Sequence, residues 1–109
     1  MTRKTAGVIG PREIGLMKQN AILINNSRGA LVDEAALIDA PRSGRLYGAG
    51  LDVFAREPLP ADHPFRTLPN VVATPHLGYV TDETYRIFFA GAVEDIASWL
   101  DGKPLRVIN

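Results

Sequence analysis

The sequence contains no cysteine among its 109 residues, and it carries no net charge. The absence of cysteine excludes disulfides and thiolate metal sites, and it allows a reducing compartment. Twelve basic residues balance twelve acidic residues, so no overall field favours nucleic acid or an anionic membrane surface. No apolar run approaches the roughly 18 residues of a membrane span, and the N-terminus lacks the apolar core of a signal peptide. These absences predict a cytoplasmic protein without a nucleic-acid or membrane partner.

What is present is the composition of a folded chain. Apolar residues make up 46% of the sequence and charged residues 22%, a balance typical of globular rather than disordered proteins. At this length we expect one domain at most, long enough to bury a core but short for a complete enzyme with two substrates.

The first half of the chain alternates between apolar runs and a helical pattern. An apolar run at residues 21–25 predicts a strand buried on both faces, and residues 47–54 predict a second strand. Between them, residues 33–40 predict a helix that opens on Asp33 as its cap. Strand, helix and strand with short connections predict two parallel strands. Because Pro41 lacks an N–H donor and clashes with the preceding turn, we expect the helix to end near residue 40 or to be distorted there.

The second half begins with a proline-rich loop at residues 57–70, followed by a third short strand at residues 71–73. A long helix then starts at Thr81 or Asp82, since apolar residues recur after this point at helical spacing. Gly102 and the proline that follows end that helix. The predicted fold is therefore α/β, with a mostly parallel three-stranded sheet, flanking helices and a long C-terminal helix.

Polar side chains follow each predicted strand, where parallel α/β sheets meet their ligands. Arg28 follows the first strand, Asp52 and Glu57 follow the second, and His76 follows the third. A histidine can exchange a proton near neutral pH, a carboxylate can orient its ring, and an arginine can hold a substrate carboxylate. Together these residue types predict acid/base chemistry on an anionic substrate.

Each of these residues also has a purely structural explanation. Arg28 could cap carbonyl groups or join a surface ion pair, and Asp52 could be a turn residue. Glu57 could be a solvated loop acid, and His76 a hydrogen-bonded loop histidine. His63 has no neighbour in sequence that suggests a site, so we expect it to be an ordinary loop residue. Two histidines without cysteines do not make a zinc motif, so no metal site is predicted.

Three linked motifs add a family resemblance. The strings INNSRGALVDEAALIDA, GAGLDVFAREPLP and NVVATPHLGYVT resemble, in order and spacing, the C-terminal half of the nucleotide-binding domain of D-isomer-specific 2-hydroxyacid dehydrogenases. The resemblance covers nearly the whole chain and implies a partial Rossmann-like fold. It also implies NAD or NADP as the cofactor and a 2-hydroxy or 2-oxo acid as the substrate.

The resemblance assigns roles to individual residues. Arg28 matches the arginine that binds the carboxylate and carbonyl of the 2-oxo acid, and His76 matches the general acid/base. Glu57 matches the carboxylate that pairs with that histidine, and Asp52 matches the acid near the nicotinamide. Arg28 and His76 also border the cofactor, together with Asn26, Ser27, Leu77 and Gly78.

Some parts of the family pattern are missing from this sequence. None of its ten glycines forms the Gly-x-Gly-x-x-Gly turn that holds the pyrophosphate, and the substrate domain is absent. We therefore expect residues 1–101 to be the C-terminal half of a nucleotide-binding domain and residues 102–109 to resemble the crossover to the substrate domain. The chain alone is expected to have little or no dehydrogenase activity, and the alternative is a non-catalytic remnant or binding module.

Half of a doubly wound sheet leaves a strand edge and an apolar face uncovered. We therefore expect a homo-oligomer, a complex with a separately encoded N-terminal half, or a decaying gene remnant.

Overall fold

The structure, a computed structural model, describes residues 5–108 and divides after Leu77 into two compact units. The first unit holds a small sheet with two helices, and the second holds one long helix and a tail. The elements in chain order are α1 (Pro11–Leu16), β1 (Ile22–Asn25), α2 (Glu34–Arg42), β2 (Gly48–Leu51), β3 (Val71–Ala73) and α3 (Asp82–Leu100).

The three strands form one parallel sheet in the order β1-β2-β3. This confirms the predicted α/β class, and every strand pair is parallel. β2 is shorter than the predicted strand at residues 47–54, because the chain leaves the ladder after Leu51. Val53 and Phe54 are nevertheless buried. Successive strands therefore end side by side at one edge of the sheet.

α2 begins as predicted, because the Asp33 carboxylate accepts a hydrogen bond from the Ala36 N–H at 2.9 Å. It ends within two residues of the predicted position, although the helix continues through Pro41 to Arg42. The proline lies in the last turn, where only one intrahelical bond is lost. Its ring is buried in the core, and its carbonyl accepts a hydrogen bond from the Asn70 side chain at 3.1 Å. Burial and this contact offset the local cost of the proline.

The prediction that β1 is buried on both faces is wrong. Leu23 and Asn25 are buried, but Ile22 is 61% exposed and Ile24 is 74% exposed. On β3, Val72 lies on the same exposed face and is itself 69% exposed. An apolar run shows which residues avoid water, but a second buried face needs a covering layer that the described residues of the first unit do not provide. The uncovered apolar face expected from half of a doubly wound sheet is therefore present.

The opposite face of the sheet packs against α1 and α2. α1 was not predicted from the sequence, although the Glu13 carboxylate accepts a hydrogen bond from the Gly10 N–H at 3.1 Å, as in a capping box. Ile14 on α1 and Leu37 on α2 are each at most 4% exposed, and they join the core with side chains from the strands. This layer fixes the sheet whose edge carries the polar loops.

The second unit is built on α3, whose N-cap is Thr81, one of the two residues predicted for the start of this helix. Gly102, with a φ of 72°, follows the helix in the left-handed conformation that commonly ends helices. No side chain of α3 is buried, and large apolar side chains such as Phe89, Ile96 and Trp99 are more than 60% exposed. Within residues 5–108, no helix is both long enough and apolar enough to cross a membrane.

Candidate functional site

A histidine and a glutamate meet at the carboxyl edge of the sheet. His76 Nδ1 lies 2.7 Å from Glu57 Oε2, and each side chain is about one third exposed. Glu57 comes from the loop after β2, and His76 from the loop after β3. An ionised carboxylate can only accept, so Nδ1 carries the hydrogen and donates it to Glu57. Proton exchange with a substrate would therefore fall to His76 Nε2.

The Glu57 carboxylate is held at both of its oxygens. Oε1 accepts a hydrogen bond from the Phe54 N–H at 3.0 Å, while Oε2 accepts from His76. The hydrogen bond from His76, then that from the Phe54 N–H, and more weakly the positive charge of Arg28, hold the pKa of Glu57 below its ordinary value of 4.5. The carboxylate is thereby kept ionised and aimed at the imidazole.

Asp52 fixes the loop that carries His76. Its Oδ1 accepts hydrogen bonds from Thr74 Oγ1 at 2.5 Å and from the Leu77 N–H at 2.9 Å, and the residue is only 8% exposed. Between these two anchors, His76 adopts a φ of 57°, which is uncommon for a residue with a side chain. Such conformations persist where the surroundings enforce them, and they cluster at functional sites. Asp52 therefore stabilises the backbone turn from which His76 projects.

Asn25, the last residue of β1, shapes the loop that carries Arg28. The Asn25 side chain accepts a hydrogen bond from the Ser27 N–H at 3.2 Å and donates one to the Arg28 carbonyl at 2.9 Å. The amide is buried, whereas Arg28 itself is exposed and donates from Nη1 to the Ser27 carbonyl at 2.6 Å. Arg28 thus lies at the edge of the sheet, in a turn that the Asn25 side chain holds by two hydrogen bonds.

The Arg28 turn packs directly on the backbone that leads to Glu57. A Cβ atom at Gly29 would lie 2.0 Å from the Phe54 carbonyl carbon and 2.6 Å from the Ala55 nitrogen. No residue with a side chain fits this contact, since ordinary carbon contacts begin near 3.4 Å. The glycine therefore brings the Arg28 turn against the turn of Glu57, consistent with the effect of the arginine charge on the glutamate.

Not every candidate residue contributes to this cluster in the same way. Arg28, Glu57 and His76 lie on three neighbouring loops, and Asp52 lies beneath the last of them. Asn26 and Ser27 are exposed in the Arg28 turn, and Leu77 is exposed just after His76. Gly78 is exposed at the start of the second unit.

A cavity of about 530 Å³ adjoins the His76–Glu57 pair. Its walls combine these two side chains and Arg66 with apolar surface from Phe54, Leu59 and Pro75. This volume and mixed lining are typical of small-molecule sites. Within residues 5–108, no group of three or more histidine, aspartate or glutamate side chains is placed to hold a metal ion.

Sequence reasoning did not assign four residues that shape the site. They are Asn25 and Thr74, which tie down the loops, and Glu34 and His63, which lie behind Glu57. Asn25 is the last residue of β1 and Thr74 directly follows β3, and these positions at strand ends could have indicated a loop anchor. Glu34 and His63 are 29 residues apart, and no spacing rule links them.

Comparison with known proteins gives a consistent result. Residues 1–78 match the family model described as the NAD binding domain of D-isomer specific 2-hydroxyacid dehydrogenases. Glyoxylate/hydroxypyruvate reductase B of Yersinia enterocolitica is 51% identical over 102 residues, which are 94% of this chain and 31% of the reductase.

Solved structures agree with this match. The crystal structure of the TT0316 protein from Thermus thermophilus has a TM-score of 0.88 at 44% identity, over 95% of this chain and 33% of that one. D-lactate dehydrogenase with NAD+ from Lactobacillus jensenii has a TM-score of 0.88 at 33% identity, over 100% of this chain and 37% of that one.

The chain spans about a third of the length of the curated relatives it matches. The family model covers well over half of the chain, and the matched residues include Arg28, Glu57 and His76. The chain belongs to the D-isomer specific 2-hydroxyacid dehydrogenase family.

Proposed function

We propose that this chain supplies the catalytic edge of an NAD(P)-dependent D-2-hydroxyacid dehydrogenase. In this proposal His76 is the general acid/base, Glu57 orients it, and Arg28 binds the substrate carboxylate. The observation that carries the proposal is the 2.7 Å contact between His76 Nδ1 and Glu57 Oε2 at the sheet edge. A histidine held by a carboxylate at the mouth of a cavity is the arrangement that proton exchange requires.

The residues present fit one end of a nicotinamide dinucleotide. The carboxyl ends of parallel strands are where such cofactors lie in Rossmann-like sheets, and here they carry an exposed polar turn beside the ionisable pair. We assign the nicotinamide end to this edge, with Asp52 and Arg28 nearest to it. The neighbouring segments that would line the cofactor are those of Asn26, Ser27, Leu77 and Gly78.

When bound, the nicotinamide cofactor supplies or accepts the hydride. In the reduction of a 2-oxo acid, His76 donates the proton on Nε2 to the carbonyl oxygen, which becomes the hydroxyl group. In the reverse direction His76 takes that proton back. Glu57 accepts the hydrogen bond from Nδ1 throughout, so it fixes the ring and stabilises the imidazolium.

The positive charge of Arg28 contributes to the lowered pKa of the Glu57 carboxyl, after the contributions of His76 and the Phe54 N–H. A planar guanidinium matches a carboxylate with two parallel hydrogen bonds. To bind a substrate in this way, Arg28 would exchange its contact with the Ser27 carbonyl for the carboxylate. The substrate would then lie with its carbonyl oxygen toward His76.

A chimera tests the proposal. The 102 matching residues of this chain would replace the corresponding third of glyoxylate/hydroxypyruvate reductase B from Yersinia enterocolitica. Oxidation of NADH and NADPH would then be followed with glyoxylate, hydroxypyruvate and other 2-oxo acids. We expect turnover, and we expect His76→Asn in the chimera to lower kcat by about 10²–10⁴-fold, the usual contribution of a general acid/base. A folded chimera in which His76→Asn leaves kcat unchanged would refute the assigned role.

The chain alone is proposed to lack this activity. Residues 1–101 would be the C-terminal half of a nucleotide-binding domain, and residues 102–109 would lead toward a substrate domain. An open half-site loses cofactor binding, orientation and exclusion of water together. Turnover by the 109-residue chain comparable to that of the chimera would contradict this division.

The uncovered sheet face supports a partner as part of the proposal. Ile22, Ile24 and Val72 form an exposed apolar surface on the sheet, of the kind that promotes association. We propose either a homo-oligomer or a complex with a separate N-terminal half, and a cytoplasmic location. Sedimentation of the chain, alone and with such a half, would distinguish the two assemblies, and cell fractionation would test the location.

A further inference from the structure

A second carboxylate holds the turn that carries Glu57. Glu34, the first residue of α2, accepts a hydrogen bond at Oε2 from the Ala55 N–H at 3.0 Å. The preceding N–H, that of Phe54, donates to Glu57 Oε1 at the same distance. Two adjacent backbone donors are therefore taken by two different glutamates. Glu57 belongs to the candidate site, and Glu34 belongs to α2.

Glu34 is in turn oriented by His63. The two side chains meet at 3.2 Å between His63 Nε2 and Glu34 Oε1. His63 Nδ1 accepts a hydrogen bond from the Phe65 N–H at 3.2 Å, so the ring hydrogen is on Nε2 and is donated to Glu34. The His63 side chain is 14% exposed and that of Glu34 is 27% exposed, so this pair is more shielded than the pair at the site. His63 is therefore not the uninvolved loop residue expected from the sequence.

The same peptide also receives the Arg28 turn. The position of Gly29 against the Phe54 carbonyl leaves no space for a side chain, and Glu34 follows the same turn five residues later. The Phe54–Ala55 peptide is thus contacted both by the turn of Arg28 and by the first residue of α2. Movement of this peptide would move Glu57 relative to both Arg28 and His76.

We propose that Glu34, oriented by His63, is a positioning residue that sets the place of the Glu57 carboxylate relative to His76. Glu34 does not touch the substrate in this role, because it acts through the Ala55 N–H. With Glu34 in place, the Phe54 N–H stays aimed at Glu57 Oε1, and Oε2 stays within reach of His76. Without it, the turn gains freedom and both contacts of Glu57 lengthen. This inference deepens the proposed function and rests on the role assigned there to Glu57.

The test is a titration of the Glu57 carboxyl carbon by NMR in the 109-residue chain and in its Glu34→Ala variant. We expect the pKa of Glu57 to shift upward toward its ordinary value in the variant, because the two hydrogen bonds that lower it are weakened. We also expect exchange of the Ala55 amide hydrogen to become about tenfold faster or more. Asp82→Ala is the matched control, since Asp82 is the first residue of α3 as Glu34 is of α2. Asp82→Ala should change neither the pKa of Glu57 nor the exchange rate of the Ala55 amide hydrogen.

If Glu34 has a purely structural role, Glu34→Ala will be less stable than the parent chain but the pKa of Glu57 will not change. This result would overturn the proposal. If Glu34→Ala does not fold, Glu34→Gln and His63→Gln replace it. Glutamine has one acceptor oxygen for two donors, and His63→Gln leaves Glu34 intact but less well oriented. Both are expected to shift the Glu57 titration in the same direction by a smaller amount, and unchanged titrations in both would equally overturn the proposal.

The titration needs no turnover, so it separates this inference from the proposed function. An inactive chimera together with a shifted Glu57 titration would remove the dehydrogenase assignment and keep the positioning role. An active chimera with an unshifted titration would do the reverse.

Discussion

Replacing Gly29 with alanine tests whether a missing side chain sets the spacing between the Arg28 turn and the Glu57 turn. The new Cβ would lie 2.0 Å from the Phe54 carbonyl carbon and 2.1 Å from its oxygen. Both neighbours are backbone atoms, so no side chain can rotate out of the way. Because carbon atoms are best separated by about 3.5–4.0 Å, the two turns must part by more than about 1 Å. Gly29 has no left-handed φ, so the effect is steric rather than conformational.

We expect the free energy of unfolding of Gly29→Ala to fall by about 1–3 kcal/mol, the usual cost of overpacking. In the chimera we expect kcat/KM to fall by about 10²-fold, since a displacement near 1 Å of a positioned group has that effect. Urea unfolding of the chain measures the first quantity, and NADH oxidation by the chimera measures the second.

Gly91→Ala is the matched control for Gly29→Ala. Gly91 lies in α3, and a Cβ atom there would meet nothing within 4 Å. Alanine should therefore stabilise this helix by about 0.5–1 kcal/mol. If Gly29→Ala were as stable as the parent chain and as active in the chimera, the close approach of the two turns would not be what places Arg28 near Glu57.

Two further predictions concern the residues around the site. Glu57→Gln should lower the free energy of unfolding at neutral pH. Because the folded-state pKa of Glu57 lies below 4.5, the stabilisation by the ionised carboxylate is fully present above that value and is lost as the pH falls through the folded pKa. Urea unfolding of both chains across the acid range measures this, and a difference independent of pH would contradict it. Asn25→Ala should cost about 1–3 kcal/mol, because the Ser27 N–H and the Arg28 carbonyl lose their partner, whereas the exposed Asn26→Ala should stay within about 0.5 kcal/mol. Equal stabilities of these two variants in thermal or urea unfolding would rule out the anchoring role of Asn25.

Much of the fold follows from local signals in the sequence. Asp33 and Thr81 are cap residues with side-chain oxygens, and both helices begin directly after them. β3 was placed correctly because an apolar run is flanked there by a loop and by Thr74. α1 was missed because six residues are too few for a helical period to be visible.

Other features depend on contacts that are distant in sequence. A proline is expected to end a helix, but α2 continues past Pro41 to Arg42 because burial of the ring and the contact with Asn70 stabilise its last turn. The exposed face of β1 could not be predicted from Ile22 and Ile24, because an apolar run does not show whether a covering layer is present. The three loops of the candidate site were placed at one edge by the strand pattern alone.

The hydrogen bonds within the site were beyond local reasoning. Asp52 reaches Thr74 across 22 positions, and Glu34 reaches Ala55 across 21. Such pairs depend on which strands are neighbours and on the register between them. The sequence therefore predicted which elements carry the site, and the structure was needed for what holds each loop in place.

The position of β3 has a consequence for how the site behaves over time. β3 is a strand of three residues at the edge of the sheet, and His76 follows it after two residues. Short edge strands open by local fluctuation at a much lower free energy than the whole unit needs to unfold. Such an opening would carry His76 away from Glu57 while β1 and β2 stay paired. We therefore expect the lifetime of the histidine–glutamate contact to follow the hydrogen exchange of Val71–Ala73, the shortest of the three strands.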